Sequence, residues 1–213
     1  MAKISPSVLS ADLSNLAAEV RDIEEAGADM VHLDVMDGVF VTNITFGLPV
    51  ISSLRKKSNM IFDVHLMIDA PEKYAMRFID AGADILTFHL EATKEPSSLL
   101  SDIRSQGVMA GISIKPGTLA EEVFPYLEEC DMVLVMTVEP GYGGQALIPE
   151  TLEKVRKIKA EIERRGLNTV IQVDGGINAD NASAAVEAGA DILVAGSSVF
   201  GKSDRRAAID ALR

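Results

Sequence analysis

The chain has 213 residues, 47% of them hydrophobic, and 20 Lys and Arg stand against 32 Asp and Glu for a net charge of -12. These proportions exclude intrinsic disorder and predict one well-cored domain over residues 1–213 rather than two small ones. The negative balance, with no basic strip carrying interleaved aromatics, argues against nucleic acid or an anionic membrane surface as partner, yet leaves room for a local anion site. No stretch approaches the roughly 18 to 20 apolar residues of a membrane span, so a soluble, cytoplasmic protein is expected. Cys130 is the only cysteine, which rules out a disulfide framework or a thiolate metal cluster within one chain. Any metal must be held by His and carboxylate.

Short apolar runs alternate with amphipathic stretches along the whole chain, the pattern of βα units whose helices cover a mostly parallel sheet. In chain order, a strand at 4–9 leads to a helix at 13–26, one at 30–35 to a helix at 48–56, and one at 61–66 to a helix at 71–81. Strand 85–89 precedes helix 98–106, strand 109–114 precedes helix 119–128, and strand 132–137 precedes helix 149–165. The last two units pair strand 170–174 with helix 179–188 and strand 192–195 with helix 205–212. Pro71 suits the first turn of its helix, where an N–H has no intrahelical acceptor. Ala-Gly-Ala-Asp recurs at 26–29, 81–84 and 188–191, each time between a helical pattern and a strand, where glycine can supply a left-handed stop. Eight such units in about two hundred residues predict a compact α/β (β/α)8 TIM barrel. The longest gap between elements, from 36 to 47, reads as a functional loop after the second strand.

His32 and Asp34 lie two apart, so strand periodicity sends both side chains to one face, and Asp63 and His65 repeat that spacing on the next strand. Asp174 ends the seventh strand, ahead of Gly175 and Gly176. If these strand ends meet at the mouth of a barrel, His32, Asp34, His65 and Asp174 form an N2O2 set for one divalent metal. Zn suits that set, and Fe, Mn or Co are compatible with it. The competing reading is a satisfied polar network, with Asp63 orienting an imidazole. Gly141, Gly143 and Gly144 follow the sixth strand, Gly175 and Gly176 the seventh, and Gly196 and Ser197 the eighth, together suggesting a phosphate cradle of close-approaching backbone. Met36, Met67 and Met136 at strand ends read either as core packing or as a polarizable wall beside a substrate. Ser7 reads equally as a substrate donor or a turn cap. His89, with no evident acid or base partner in the segment that follows, is given a structural or loop role.

The series Leu33-Asp34-Val35-Met36-Asp37-Gly38, Asp63-Val64-His65-Leu66-Met67, Phe88-His89, Glu139-Pro140-Gly141-Tyr142-Gly143-Gly144-Gln145 and Val173-Asp174-Gly175-Gly176-Ile177 resembles the ribulose-phosphate 3-epimerase family. The resemblance runs from Ser5 to Ser198. It implies a barrel of the ribulose-phosphate-binding type that interconverts D-ribulose 5-phosphate and D-xylulose 5-phosphate by inversion at C3. It also implies a divalent metal among His32, Asp34, His65 and Asp174, with Asp34 and Asp174 exchanging acid and base roles through a cis-enediolate. Ser7, Met36, His65, Met67, Met136, Gly141, Gly143, Gly144, Asp174, Gly175, Gly176, Gly196 and Ser197 would then contact the phosphorylated ketose. Two segments depart from the family pattern, Val39-Phe40-Val41-Thr42-Asn43 and Ala146-Leu147-Ile148. The related D-allulose-6-phosphate 3-epimerases share the arrangement, while an aldolase or decarboxylase and a noncatalytic sugar-phosphate sensor are more distant alternatives. The coating helices are compatible with a homo-oligomer.

Overall fold

A computed structural model describes residues 1–213. Eight parallel strands run β1 (Lys3–Pro6), β2 (Met30–Met36), β3 (Ile61–Met67), β4 (Ile85–His89), β5 (Met109–Ile114), β6 (Met132–Met136), β7 (Val170–Asp174) and β8 (Ile192–Ala195). Each pairs with its sequence neighbour, and β1 pairs with β8. Between β1 and β2 the ring is closed by a single parallel bridge, Ser7 to His32. The expected (β/α)8 barrel is therefore the observed fold. Strand limits agree with expectation within a residue or so except in β1. There, Ser7 turns the chain into a 3-10 turn at Val8–Ser10, and its hydroxyl accepts the Leu9 N–H.

The coating helices are α1 (Leu16–Glu25), α2 (Leu48–Arg55), α3 (Ala75–Asp80), α4 (Pro96–Ser105), α5 (Thr151–Arg165), α6 (Ala182–Ala188), α7 (Ser197–Phe200) and α8 (Arg205–Asp210). Two expectations are corrected. The segment 119–128 forms no α-helix but two 3-10 turns, Ala120–Glu122 and Phe124–Tyr126, because Pro125 removes a donor in the middle of the run. Pro71 opens a 3-10 turn, Pro71–Lys73, and α3 starts only at Ala75. The helix α7 has no counterpart in the sequence reading. No helix is long and apolar enough to cross a membrane.

The Ala-Gly-Ala-Asp segments prove to be part of a fourfold device at the end of the barrel where the strands start. Gly27, Gly82 and Gly189 take φ values of 93°, 112° and 116°, the left-handed conformation that ends each helix. The following Asp29, Asp84 and Asp191 accept the backbone N–H of Ile4, Phe62 and Ile171 at 2.8, 2.8 and 2.9 Å. A fourth member escaped the motif because it lacks the glycine: Asp131 accepts Ala110 N–H at 2.9 Å. Each Asp so precedes an even-numbered strand and ties the odd-numbered strand before it. Each is also paired with a cation, Arg213, Arg55, Lys159 and Arg104 respectively.

The main core lies between sheet and helices, where Ile23, Leu33, Phe62, Leu86, Phe88, Leu100 and Ile158 are fully buried or nearly so. Inside the barrel, Met30, Ile85, Met132 and Ile192 plug the floor. Above that plug the interior turns polar, with Ser5, His32, Asp63, His65, Thr87, Ser113 and Gln172 all at 0% exposure. Buried polar groups are retained only where partners or ligands compensate their desolvation, which directs attention to the layer they support.

Candidate active site

Register places the first four polar side chains. His32 is opposite Asp63 and Asp34 opposite His65 in the β2–β3 pair, and alternation sends all four into the barrel. A carboxylate can only accept, so the 2.7 Å contact from His32 Nδ1 to Asp63 Oδ2 places a proton on Nδ1. The same Asp63 oxygen accepts Ser5 Oγ–H at 2.9 Å and Gln172 Nε2–H at 2.6 Å. His32 Nε2 is thereby turned toward Asp34 Oδ1 at 3.2 Å and Asp174 Oδ2 at 3.8 Å, and it makes no hydrogen bond of its own. His65 Nδ1 lies 3.1 Å from Asp34 Oδ1 and 3.7 Å from Asp174 Oδ2. Asp34 Oδ2 accepts Ser7 Oγ–H at 2.6 Å. Ser7 accordingly both caps its turn and holds a site carboxylate.

One ligand atom from each of His32, Asp34, His65 and Asp174 falls within 4.8 Å of all the others. Two carboxylates and an imidazole nitrogen without a hydrogen bond, converging in a buried space, suit a divalent cation by donor type and by charge. Asp63 is one step removed, oriented on His32 as expected of a supporting carboxylate.

Electrostatics separate the two site carboxylates. Burial pushes the Asp174 carboxyl up, and the neighbouring Asp34 charge adds to it, to about 6. Burial acts the same way on Asp34, but the charge of His32, then the hydrogen bond and charge of His65, outweigh it and hold Asp34 well below the ordinary carboxylate range. His32 is the converse: burial opposes its charge, and Asp63 and Asp34 overcome that opposition, raising its imidazole well above the usual value.

The site opens into a cavity of about 940 Å3 at the end of the barrel where the strands finish. Ser7, Asp34, Met36, Met67, Met136, Gly141, Gly143, Gly144, Asp174, Gly175, Gly176, Gly196 and Ser197 all line it, so the residues singled out in the sequence do converge. His32 and His65 converge with them but do not line the cavity; both are fully buried. The glycine loops approach one another closely. Gly176 has φ +69°, and a Cβ there would lie 2.3 Å from Leu147 N, so the loop after β7 packs backbone to backbone on the loop after β6. Gln145 braces that second loop by donating to the Glu139 and Tyr142 carbonyls. Across the mouth, the loop after β2 brings Asn43 Nδ2 to the Gly141 carbonyl at 3.1 Å. In the same loop Phe40 lays its ring against His89, with centroids 4.8 Å apart.

His89 has partners that its local sequence did not advertise. Its Nε2 meets His65 Nε2 at 3.0 Å, and its Nδ1 meets Glu91 Oε2 at 3.2 Å. Burial pushes the His89 imidazole down to about 4 despite the pull of Glu91. Burial would raise Glu91, but hydrogen bonds from His89, Lys115 N–H and Thr118 bring it down to about 2. Ser5, Gln172 and Glu91 are the members of this network that the sequence reading missed. For Glu91 there was a signal, since it lies two residues beyond His89. Ser5 and Gln172 show only as polar residues within apolar strands.

The model of the ribulose-phosphate 3 epimerase family matches residues 3–200. Among curated proteins, the chain is 49% identical over 210 residues to the ribulose-phosphate 3-epimerase of Mycobacterium tuberculosis (strain H37Rv), covering 99% of this chain and 91% of that one. To that of Bacillus subtilis (strain 168) it is 44% identical over 214 residues, covering 100% and 99%. Among solved structures, 3-hexulose-6-phosphate synthase superposes with a TM-score of 0.72 at 20% identity, covering 99% of this chain and 97% of that chain. KGPDC from Streptococcus mutans gives 0.73 at 14% identity, covering 100% and 95%. The two structural likenesses bear on the fold alone. Sequence identity of 44% and 49% across essentially the whole chain reaches further: this protein is an epimerase and belongs to the ribulose-phosphate 3-epimerase family.

Proposed function

We propose that the protein inverts C3 of a phosphorylated ketose, interconverting D-ribulose 5-phosphate and D-xylulose 5-phosphate. The observation that carries this reading is the pair Asp34 and Asp174, two carboxylates in one small site with pKa values driven in opposite directions. Inversion needs one group to take a proton from one face of C3 and another to return a proton to the opposite face. Asp34, held ionised, is the base in one direction of reaction. Asp174, its carboxyl raised to about 6, holds a proton more readily than Asp34, which suits it to deliver one and to exchange roles with Asp34 in the reverse direction. Ser7 Oγ–H, on Asp34 Oδ2, fixes the orientation of that carboxylate.

His32, Asp34, His65 and Asp174 would hold one divalent metal, for which zinc suits the two nitrogen and two oxygen donors. When bound, that ion supplies Lewis-acid polarisation at the oxygens next to C3. Met36, Met67 and Met136 give the cavity an apolar wall that limits water around a planar enediolate. Gly144, Gly176, Gly196 and Ser197 would receive the phosphate on their backbone amides, which glycine allows an anion to approach closely.

The test follows each ketose phosphate by NMR in deuterated water with metal-restored protein. Deuterium should enter C3 of D-ribulose 5-phosphate as D-xylulose 5-phosphate appears, without any change in carbon count. Asp34→Asn and Asp174→Asn should each lower turnover by at least about 10³-fold, because each removes one of two obligatory proton carriers. Exchange with D-allulose 6-phosphate but not with the pentulose would reassign the substrate, and tight binding without exchange would mark a sensor. Wild-type turnover in either variant would remove that residue from catalysis.

A further inference from the structure

A metal-ligating imidazole must present a lone pair, and a neutral ring does so at only one of its two nitrogens. For His32 the choice is made directly by Asp63, as described above. His65 has no carboxylate behind it. Its far nitrogen, Nε2, faces another histidine, and two imidazole nitrogens 3.0 Å apart can share only one proton between them. If both carried hydrogen they would repel; if neither did, lone pair would face lone pair.

Glu91 resolves the ambiguity. Its Oε1 accepts Lys115 N–H at 2.8 Å and also the Thr118 hydroxyl, which leaves Oε2 to accept from His89 Nδ1 at 3.2 Å. A carboxylate engaged in this way has nothing to donate, so the proton of neutral His89 sits on Nδ1 and its Nε2 is a lone pair. That lone pair requires a proton on His65 Nε2, so a metal held between His65 Nδ1 and the carboxylates, which lie 3.1 and 3.7 Å away, would take the place of the proton in the Nδ1 contact to Asp34. The two rings meet edge to edge, with centroids 5.0 Å apart and planes inclined by 30°, and both are fully buried. On the outer side, Phe40 covers His89, and Lys115 Nζ stands 3.7 Å from the centroid of Phe40.

We propose that Glu91 is a positioning residue that sets the tautomer of His65 through His89, so that His65 offers Nδ1 and His32 offers Nε2 to the same metal. The inference rests on the metal reading above. It explains why the three histidines of the chain are all buried in one row, each against the next or against a carboxylate. An amide at position 91 offers one acceptor oxygen where the carboxylate offers two, so an N–H2 must face either Lys115 N–H or His89 Nδ1. In the second case His89 shifts its proton to Nε2 and His65 is forced to protonate Nδ1, the nitrogen the metal needs.

Zinc titration and histidine ring-nitrogen NMR on the full chain test this together. With only three histidines, six ring nitrogens account for every signal. In zinc-loaded wild-type protein, His89 should be protonated at Nδ1 and His65 at Nε2, and Glu91→Gln should weaken zinc binding by about 10- to 100-fold. Zinc bound by wild-type protein with His89 protonated at Nε2, or bound equally well by Glu91→Gln while that variant's His89 is protonated at Nε2, overturns the relay and leaves the metal site standing. Failure of wild-type protein to take up zinc overturns the metal site and the relay with it. Should Glu91→Gln fail to fold, the wild-type nitrogen assignment decides by itself.

Discussion

Asp63 is fully buried, and one of its oxygens accepts from Ser5, His32 and Gln172 at once. Burial raises its carboxyl, but the charge of His32 and these three hydrogen bonds more than offset that and keep it below the usual range. Asp63→Ala should therefore destabilise the protein by roughly 3–5 kcal/mol, since it removes the nearer of the two counter-charges of His32 and the acceptor of Ser5 and Gln172 in a dry interior. Urea unfolding of the metal-free variant measures this, and a loss under about 1 kcal/mol would show that the remaining polar layer compensates. Cys130 illustrates the opposite case, a buried group with no charge to offset. Burial first, and then Asp131, push its thiol up to about 12. The unfolded chain releases that proton near pH 9, while the folded chain holds it until about pH 12, so stability is full below pH 9 and falls as pH rises through that window. Urea midpoints from pH 8 to 10.5 should fall more steeply for the wild type than for Cys130→Ala; parallel curves would refute the shift. At this scale the sequence exposed the four ligand candidates, His32, Asp34 and His65 by two-residue spacing within strands and Asp174 by its place at a strand end before Gly175, both of which are local properties. Gln172 stayed hidden because its contact to Asp63 crosses the barrel, and Glu91, although two residues from His89, because its other partners, Lys115 N–H and Thr118, lie on the next loop.

At the scale of elements, the strands were legible because each is a short apolar run ended by a turn signal, and burial on both faces allows little else. The helical expectation failed at 119–128, where the apolar spacing continues but Pro125 breaks the hydrogen-bond ladder. The Asp staples were only half legible. Three carried the Ala-Gly-Ala signature, whereas Asp131 performs the same contact after Glu129 and Cys130. Because each staple ties two strands, Asp84→Ala should cost about 1–3 kcal/mol, the penalty of leaving Phe62 N–H unpaired and breaking the contact to Arg55. Equilibrium unfolding gives the value. Asp131→Ala should cost a similar amount if the fourth staple is equivalent, and a neutral result there would confine the device to the three glycine-marked turns.

For the whole molecule, ring closure is the property least evident in a linear chain. Residue 7 bridges to residue 32, and β1 pairs with β8 nearly two hundred residues away. Outside the sheet, Arg205 at the start of α8 reaches back to α1, with Glu19 and Asp22 each at 2.7 Å. Arg205→Ala should lower stability by roughly 1.5–3 kcal/mol and raise hydrogen exchange in both α1 and α8, since one side chain serves both ends of the chain. Unchanged exchange in α1 would mean that packing alone joins the two helices.

By itself the sequence determined the number of repeating units, the acid-rich charge, the glycine-marked loops and the His and Asp side chains that gather at the strand ends. All of these follow from local periodicity, composition and the narrow chemistry of His, Asp and Gly. Tertiary structure alone decided which nitrogen of each histidine faces the site, which carboxylate is held ionised and which is raised, and how Glu91 reaches His65. Those properties depend on distances of a few ångströms between strands far apart in sequence and on the exclusion of water around them, neither of which a linear pattern encodes.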